Sequence, residues 1–264
     1  VCSDIKIEHP HITDTKGNGI LSYGSATTSD VIILHPVTDA TGQRGIYINT
    51  DGFTVFGGHL HDTADHDGLQ IEGGSNNLVV GTHSYNNNDK GFECQVGATN
   101  NKFVDCLAYN NGTEGLVIAR ASYNEVVDFT SRDNGGSGLA IIEEASSRPV
   151  GNIVRGFSSR NDGNSSGDSA LLIQETDDTS LYDINIEEAA RNGVFIDGTT
   201  RTTIDGIKSI NNGRLSTFGD GINIGGTNDA TRISDFVCED YQGTKTQRRG
   251  ITVNGSSVTD TYLS

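Results

Sequence analysis

Gly68-Leu69-Gln70-Ile71-Glu72 and, 23 residues on, Gly91-Phe92-Glu93-Cys94-Gln95 follow one pattern: a glycine, then apolar and polar side chains in alternation. Working outward, the same start recurs at Gly19, Gly45, Gly115, Gly138, Ala170, Gly193, Gly221 and Gly250. The ten starts are separated by 26, 23, 23, 24, 23, 32, 23, 28 and 29 residues, a base period of 23 with insertions. A second alternating stretch falls between starts, as in Leu78-Val79-Val80 and Phe103-Val104-Asp105-Cys106, and runs into Asn and Gly turns. Period-two alternation broken by Gly, Asn, Asp and Thr predicts two or three short strands per repeat. No stretch of ten residues carries a 3.6-residue period, so helices have no place. Asn and Gly tolerate the left-handed bends such corners need, and stacked Asn amides can bond from one repeat to the next.

A repeat of this length with short strands resembles the right-handed parallel β-helix of the pectate-lyase superfamily, and the resemblance runs from about Ile5 to Val258. It implies an all-β rod of about ten coils, formed by residues 1–264 as one domain. At about 4.8 Å per coil the rod is about 45–50 Å long. A β-sandwich would instead need hairpin turns and no fixed period. The longer repeats place insertions at residues 146–168, 214–220 and 243–249.

Composition agrees with a thin rod. Only 33% of the 264 residues are hydrophobic and 34 are Gly, too few apolar groups for a wide core. The net charge is −17, from 18 basic and 35 acidic residues, and a surface this negative repels nucleic acid and anionic lipid. Asp outnumbers Glu 24 to 11, and Lys contributes only 6 of the basic groups, a balance like that of proteins from saline environments. No apolar run is long enough for membrane insertion as a helix. Cys2, Cys94, Cys106 and Cys238 form no Cys-x-x-Cys pair, and Cys94 and Cys106 fall at inward positions, which predicts buried thiols. The chain starts at Val1-Cys2 without Met and reads as a segment of something longer.

Alternation also selects what the rod displays. Leu69, Ile71, Phe92 and Cys94 point inward, while Gln70, Glu72, Glu93 and Gln95 point outward, preceded by Tyr47 and Asn49. Such amides, carboxylates and rings suit sugar hydroxyls and ring faces. Glu72 and Glu93 are expected at equivalent positions one coil apart, where two carboxyls would split their pKa values into an acid and a base, the pair that glycoside hydrolysis uses. Lys90 precedes Gly91 as Asp67 precedes Gly68, so opposite charges flank one groove. Further along, the outward positions become apolar: Val117, Ala119, Ala140, Ile142, Leu172 and Phe195. This stripe is expected to lie under the 146–168 insertion or against further subunits, as in a homotrimer.

All seven His precede residue 84, and His59-Leu60-His61-Asp62-Thr63-Ala64-Asp65-His66 holds three. His59 and His61 share a strand face, but no metal signature accompanies them, so no metal is assigned; His59 and His83 are expected to stack in adjacent coils. Asp65-His66-Asp67 is similar to the Asp-Pro-His signature of mannuronan C5-epimerases, without the proline and with Asp62 where those enzymes carry a Tyr. The resemblance implies His66 and Asp65 as catalytic candidates beside Glu72 and Glu93. The Arg base and calcium carboxylates of pectate lyases have no counterpart. Asp162-Gly163-Asn164-Ser165-Ser166-Gly167 is similar to the start of a calcium loop, yet the twelfth position is Ile173 rather than Glu. No cofactor is assigned beyond that calcium candidate.

These readings converge on an extracellular, glycan-recognising β-helix, a segment of a viral tailspike or tail fibre exposed on the virion. Glu72, Glu93, His66 and Asp65 stand as catalytic candidates, and Tyr47, Asn49, Gln70, Gln95 and Lys90 as binding residues for a polysaccharide or surface glycan. A secreted polysaccharide lyase, glycoside hydrolase or C5-epimerase is the alternative, and a structural stalk without ligand the third.

Overall fold

Each of the ten starts opens a strand of one parallel ten-stranded sheet in the computed structural model, which describes residues 3–23, 29–165, 167–215 and 219–264. The strands Ile46–Ile48, Leu69–Glu72, Phe92–Gln95, Leu116–Ala119, Leu139–Ile142, Leu171–Gln174 and Val194–Asp197 follow one another in sequence order across this sheet. Between them, each coil adds short strands such as Phe53–Phe56 and His59–His61, paired in parallel with those one coil on. Neighbours in sequence are thus neighbours in space, a coil apart, and the architecture is a parallel β-helix. Cys2 lies outside the described residues.

The predicted inward column holds. Leu69, Phe92, Leu116, Leu139, Leu171, Val194 and Ile222 are in register from coil to coil and fully buried. Phe92 packs on Phe103 and Phe129, with ring centroids at 6.0 and 5.7 Å. Each such side chain contributes about 1.5–3 kcal/mol by leaving water. Cys94 and Cys106 are free, buried thiols, and burial pushes both up to about 12.

Corners explain the polar composition. Asp62, Asn86, Asn110, Asp133 and Asn161 mark the same bend in successive coils with φ between 55° and 59°. Inside the bends run two buried amide ladders. Asn77, Asn101, Asn124 and Asn152 form one; each of the first three donates from Nδ2 to the next Oδ1 at 3.0–3.2 Å. Asn87, Asn111 and Asn134 form the other, which ends on the carboxyl of Asp162. Both amide ends are satisfied, so burial of these groups is not penalised. At Gly68 the inner corner is filled by the Ser84 hydroxyl, which a Cβ would meet at 1.9 Å. A glycine start is therefore required there.

One expectation changes and another narrows. Asp162, proposed to open a calcium loop, is fully buried and spends its oxygens on Asn134 and Ser159, so it faces the ladder rather than solvent. Val117, Ala119 and Ala140 are already buried in the single chain, with Ile142 and Leu172 half-buried against them. The centre of the apolar stripe therefore needs no second subunit to leave water; only Ile142, Leu172 and Phe195 keep accessible surface.

Candidate functional site

The outer face of the ten-stranded sheet carries two parallel rows of side chains. Tyr47, Gln70, Glu93 and Val117 are in register in the first row; Glu72, Gln95 and Ala119 form the second. Glu72 and Glu93 consequently do not stack: Glu93 faces Gln70 and Glu72 faces Gln95. The expected carboxylate pair is replaced by two carboxylates that each have a neutral partner. Tyr47 Oη donates to Glu72 Oε2 at 3.0 Å, and Asn49 Nδ2 donates to the Glu72 carbonyl at 2.6 Å. Gln70 Nε2 donates to Glu93 Oε2, leaving the buried Gln70 Oε1 without a donor. Burial, then the hydrogen bond to Glu72, raise the Tyr47 hydroxyl above its usual range. The Arg44 guanidinium covers one side of the Tyr47 ring at 5.1 Å.

Beneath the first row sits a charged knot. Lys90 Nζ lies 2.9 Å from Asp89 Oδ2, 3.3 Å from Glu93 Oε1 and 3.8 Å from Asp67 Oδ1. Asp67 is 1% and Glu93 6% exposed, which is unusual for carboxyls on an outward face. Desolvation raises the Asp67 carboxyl well above the usual carboxylate range, and the nearby Glu93 raises it further, against the pull of Lys90. Burial would lower Lys90, but Asp67, Glu93 and Asp89 outweigh it and hold the ammonium protonated. Asp89 is desolvated too, yet hydrogen bonds from Thr113 and Lys90 bring it below its ordinary value. Burial raises Glu114 at the same corner. The knot thus places a proton-retaining carboxyl beside a second carboxyl and a fixed cation, the elements of acid–base chemistry.

The candidates divide accordingly. Tyr47, Asn49 and Glu72 come together as one group, and Gln70, Glu93 and Lys90 as another. His66 lies close enough to Asp89 to lower its carboxyl, and its carbonyl accepts from Thr63 Oγ1. Asp65 is exposed and makes no side-chain hydrogen bond or ion pair among the described residues. Gln95 stands beside Glu72, and its side chain makes no hydrogen bond among the described residues. Asp67, Asp89 and Glu114 belong to the knot although alternation alone does not nominate them, because they lie in turns before the strand starts.

The histidines organise a different corner. His59 and His83 are neighbours in adjacent coils, as expected, but meet edge-on, with centroids 5.2 Å apart, instead of stacking; desolvation followed by the His59 charge lowers His83. His61 stacks on Tyr85 and Tyr85 on Tyr109, at 4.8 and 4.7 Å. Its Nδ1 lies 2.6 Å from Asp62 and 3.5 Å from Asp39, so these two carboxylates, rather than His59 or His66, converge on it.

With this geometry in hand, the comparisons with known proteins fall into place. Residues 1–156 match the family described as right handed beta helix region, and the chain belongs to it. No curated protein sequence matches. Among solved structures, the chain is similar to the A-module of mannuronan C-5 epimerase AlgE6 from Azotobacter vinelandii. That match has 12% identity and a TM-score of 0.78, over 100% of this chain and 84% of that one. It is also similar to tailspike protein 2 of an Escherichia coli O157:H7 bacteriophage, at 10% identity and a TM-score of 0.74, over 95% of this chain and 37% of the tailspike. A third is the tailspike receptor binding domain of Siphovirus 9NA, at 13% identity and a TM-score of 0.68, covering 98% and 64%. The chain therefore spans about a third to two thirds of these tailspike chains. At such identities the likeness shows the fold alone.

Proposed function

We propose that this chain is a glycan-recognising β-helix of the tailspike or tail-fibre kind, acting outside the cell or on a virion surface. The observation that carries the reading is the knot and its two rows. Inside the rod, polar groups are buried to close the backbone ladders; on the outer face, no ladder needs Tyr47, Gln70, Glu72, Glu93 or Lys90. Burying such groups costs several kcal/mol unless they are paired. Their pairing holds a prearranged strip of hydroxyl, amide and carboxylate groups on rigid strands, the groups that read sugar hydroxyls. The resemblance to tailspikes and to an enzyme named for a polysaccharide supports this choice, as does a net charge adverse to nucleic acid. Ile142, Leu172 and Phe195 are the surface through which a homotrimer would pack.

A second reading has an observation of its own. Asp67 keeps its proton into a higher pH range beside Glu93, so the same strip is suited to polysaccharide cleavage or C5-epimerisation. Screening the protein against neutral and acidic polysaccharides decides between binding and turnover. Tyr47→Ala is expected to lose affinity. Glu93→Gln is expected to keep affinity and, if the protein is an enzyme, to lose turnover by orders of magnitude. Binding and turnover unchanged in both variants would move the site off this face.

A further inference from the structure

A chain of net charge −17 nonetheless gathers three cationic side chains around one cleft. The cleft, of about 640 Å³, opens between residues 213–215 and 245–248 and is lined by Arg214, Leu215, Lys245, Gln247 and Arg248. This volume lies within the range of small-ligand sites. Both walls are insertions into the base repeat, so the fold does not require them. The neck of the first is built shut: Gly213 has a φ of 81°, and a Cβ on Gly219 would meet Gly213 Cα at 2.2 Å.

The electrostatics of the cleft are one-sided. Arg248 is held by the fully buried Asp220 through bonds of 3.0 and 2.6 Å. The Asp240 carboxylate accepts from the backbone amides of Gln242, Thr246 and Gln247 at 2.7–2.9 Å, which ties its oxygens into the loop. Among the described residues Arg214 donates to neutral oxygens, Asn164 Oδ1 and the Glu188 carbonyl. Lys245 donates to the Asp240 carbonyl. Among the described residues, neither Arg214 nor Lys245 has a carboxylate within 4 Å. Two positive groups outside any ion pair among the described residues, with Asp240 the carboxylate nearest in sequence to Lys245, thus share one concavity with the exposed apolar side chain of Leu215. A guanidinium and an ammonium converging beside an apolar surface suit an oxyanion on a sugar ring, since charged donors bind oxyanions more strongly than they bind hydroxyls.

We infer that this cleft binds the anionic group of an acidic glycan, a uronate carboxylate or a sulfate ester. The inference rests on the glycan reading above and narrows its substrate class. The cleft lies at the strand-start corner, six coils from Asp67 and Lys90, or about 29 Å along the rod. It is therefore a locus separate from the knot.

Titrations of the protein with sodium glucuronate, glucose 6-sulfate and glucose, followed by NMR, test it. Both anions, but not glucose, are expected to shift resonances of the 213–215 and 245–248 loops, with weaker binding at higher salt. Tighter binding of glucuronate identifies a uronate site, and tighter binding of the sulfate a sulfate-ester site. Lys245→Gln, on an exposed side chain, is expected to lower affinity about tenfold, and Arg214→Gln/Lys245→Gln to abolish it. Binding unchanged in the double variant, or no binding of either anion, overturns the inference. Neither result touches the early-coil reading, which stands or falls on Tyr47→Ala and Glu93→Gln.

Discussion

The same sheet shows two outer faces. From Tyr47 to Gln95 its outward positions carry hydroxyl, amide and carboxylate groups tied to one another; from Val117 to Leu172 they carry Val, Ala, Ile and Leu. The inner positions do not change across that boundary: Leu69 and Phe92 on one side and Leu116 and Leu139 on the other are equally buried. Stability fixes the inside of every coil alike, because each coil must bury its column on the next. The outside is free to vary, and there the chain departs from uniformity. A half-buried Lys90 among three carboxyls belongs to the part of the rod that stability does not dictate.

The largest effect expected lies in the shared interior. Leu139→Asp puts an unpaired carboxyl in the column beneath both faces and is expected to cost well over 4 kcal/mol, enough to unfold the rod. Loss of the cooperative thermal transition checks it. A folded variant would sink the register on which both faces are defined.

Next comes the charged knot. Lys90→Met leaves Asp67, Asp89 and Glu93 without their cation and is expected to cost about 3 kcal/mol at pH 7. Asp67 is raised in the folded chain, so its stabilising contribution is full at low pH and is lost as pH rises. Removing Lys90 removes the pull against that rise, so the variant should regain stability on acidification. Melting at pH 5 and pH 7 reads the difference. A change on the middle coils away from any charge, Val117→Met, should show no such pH dependence.

A smaller effect, of opposite sign, is expected where the amide ladder ends. Asp162 stands where Asn87, Asn111 and Asn134 stand in earlier coils, and burial lifts it to about 6. Its contribution is fully present below the unfolded value near 4 and is lost as pH rises through about 6. Asp162→Asn keeps the acceptor for Asn134 and can donate to Ser159, as Asn134 donates to Ser131. It is expected to raise stability at pH 7 by about 2 kcal/mol and to flatten the stability profile between pH 4 and 6. Guanidinium melts across that range check it.

The smallest change is expected on the apolar face. Ile142→Ser with Phe195→Ser should alter monomer stability by less than about 1 kcal/mol, because both positions are only half-buried. Sedimentation reads the rest: a trimer that dissociates in this variant supports packing through the stripe, and a wild type that is monomeric removes it.

The coils were legible in the sequence because a glycine start and strict alternation encode register directly. The same count from the glycine separates Glu93, two residues after Gly91, from Glu72, four residues after Gly68; matching residue types across coils instead of positions pairs them wrongly. Asp89 and Glu114, and the burial of Asp67 beside Lys90, were harder to read. They lie in turns, where the two-residue period no longer says which way a side chain points. Asp162 opens an Asp-Gly-Asn run that resembles the start of a calcium loop; the aligned turns show that its position belongs to the buried amide column. The burial of Val117, Ala119 and Ala140 within one chain is likewise set by packing that alternation does not describe.

The contrast between the two faces is tested most directly by a crystal structure of the protein with an oligosaccharide drawn from the polysaccharide it binds best. The account predicts sugar density across Tyr47, Gln70, Glu72 and Glu93, with hydroxyls bonded to the partly exposed Tyr47 and Glu72 and the Val117–Leu172 face empty. Sugar lying on the apolar face or on the opposite sheet, with the Tyr47–Gln95 strip bare, would contradict it.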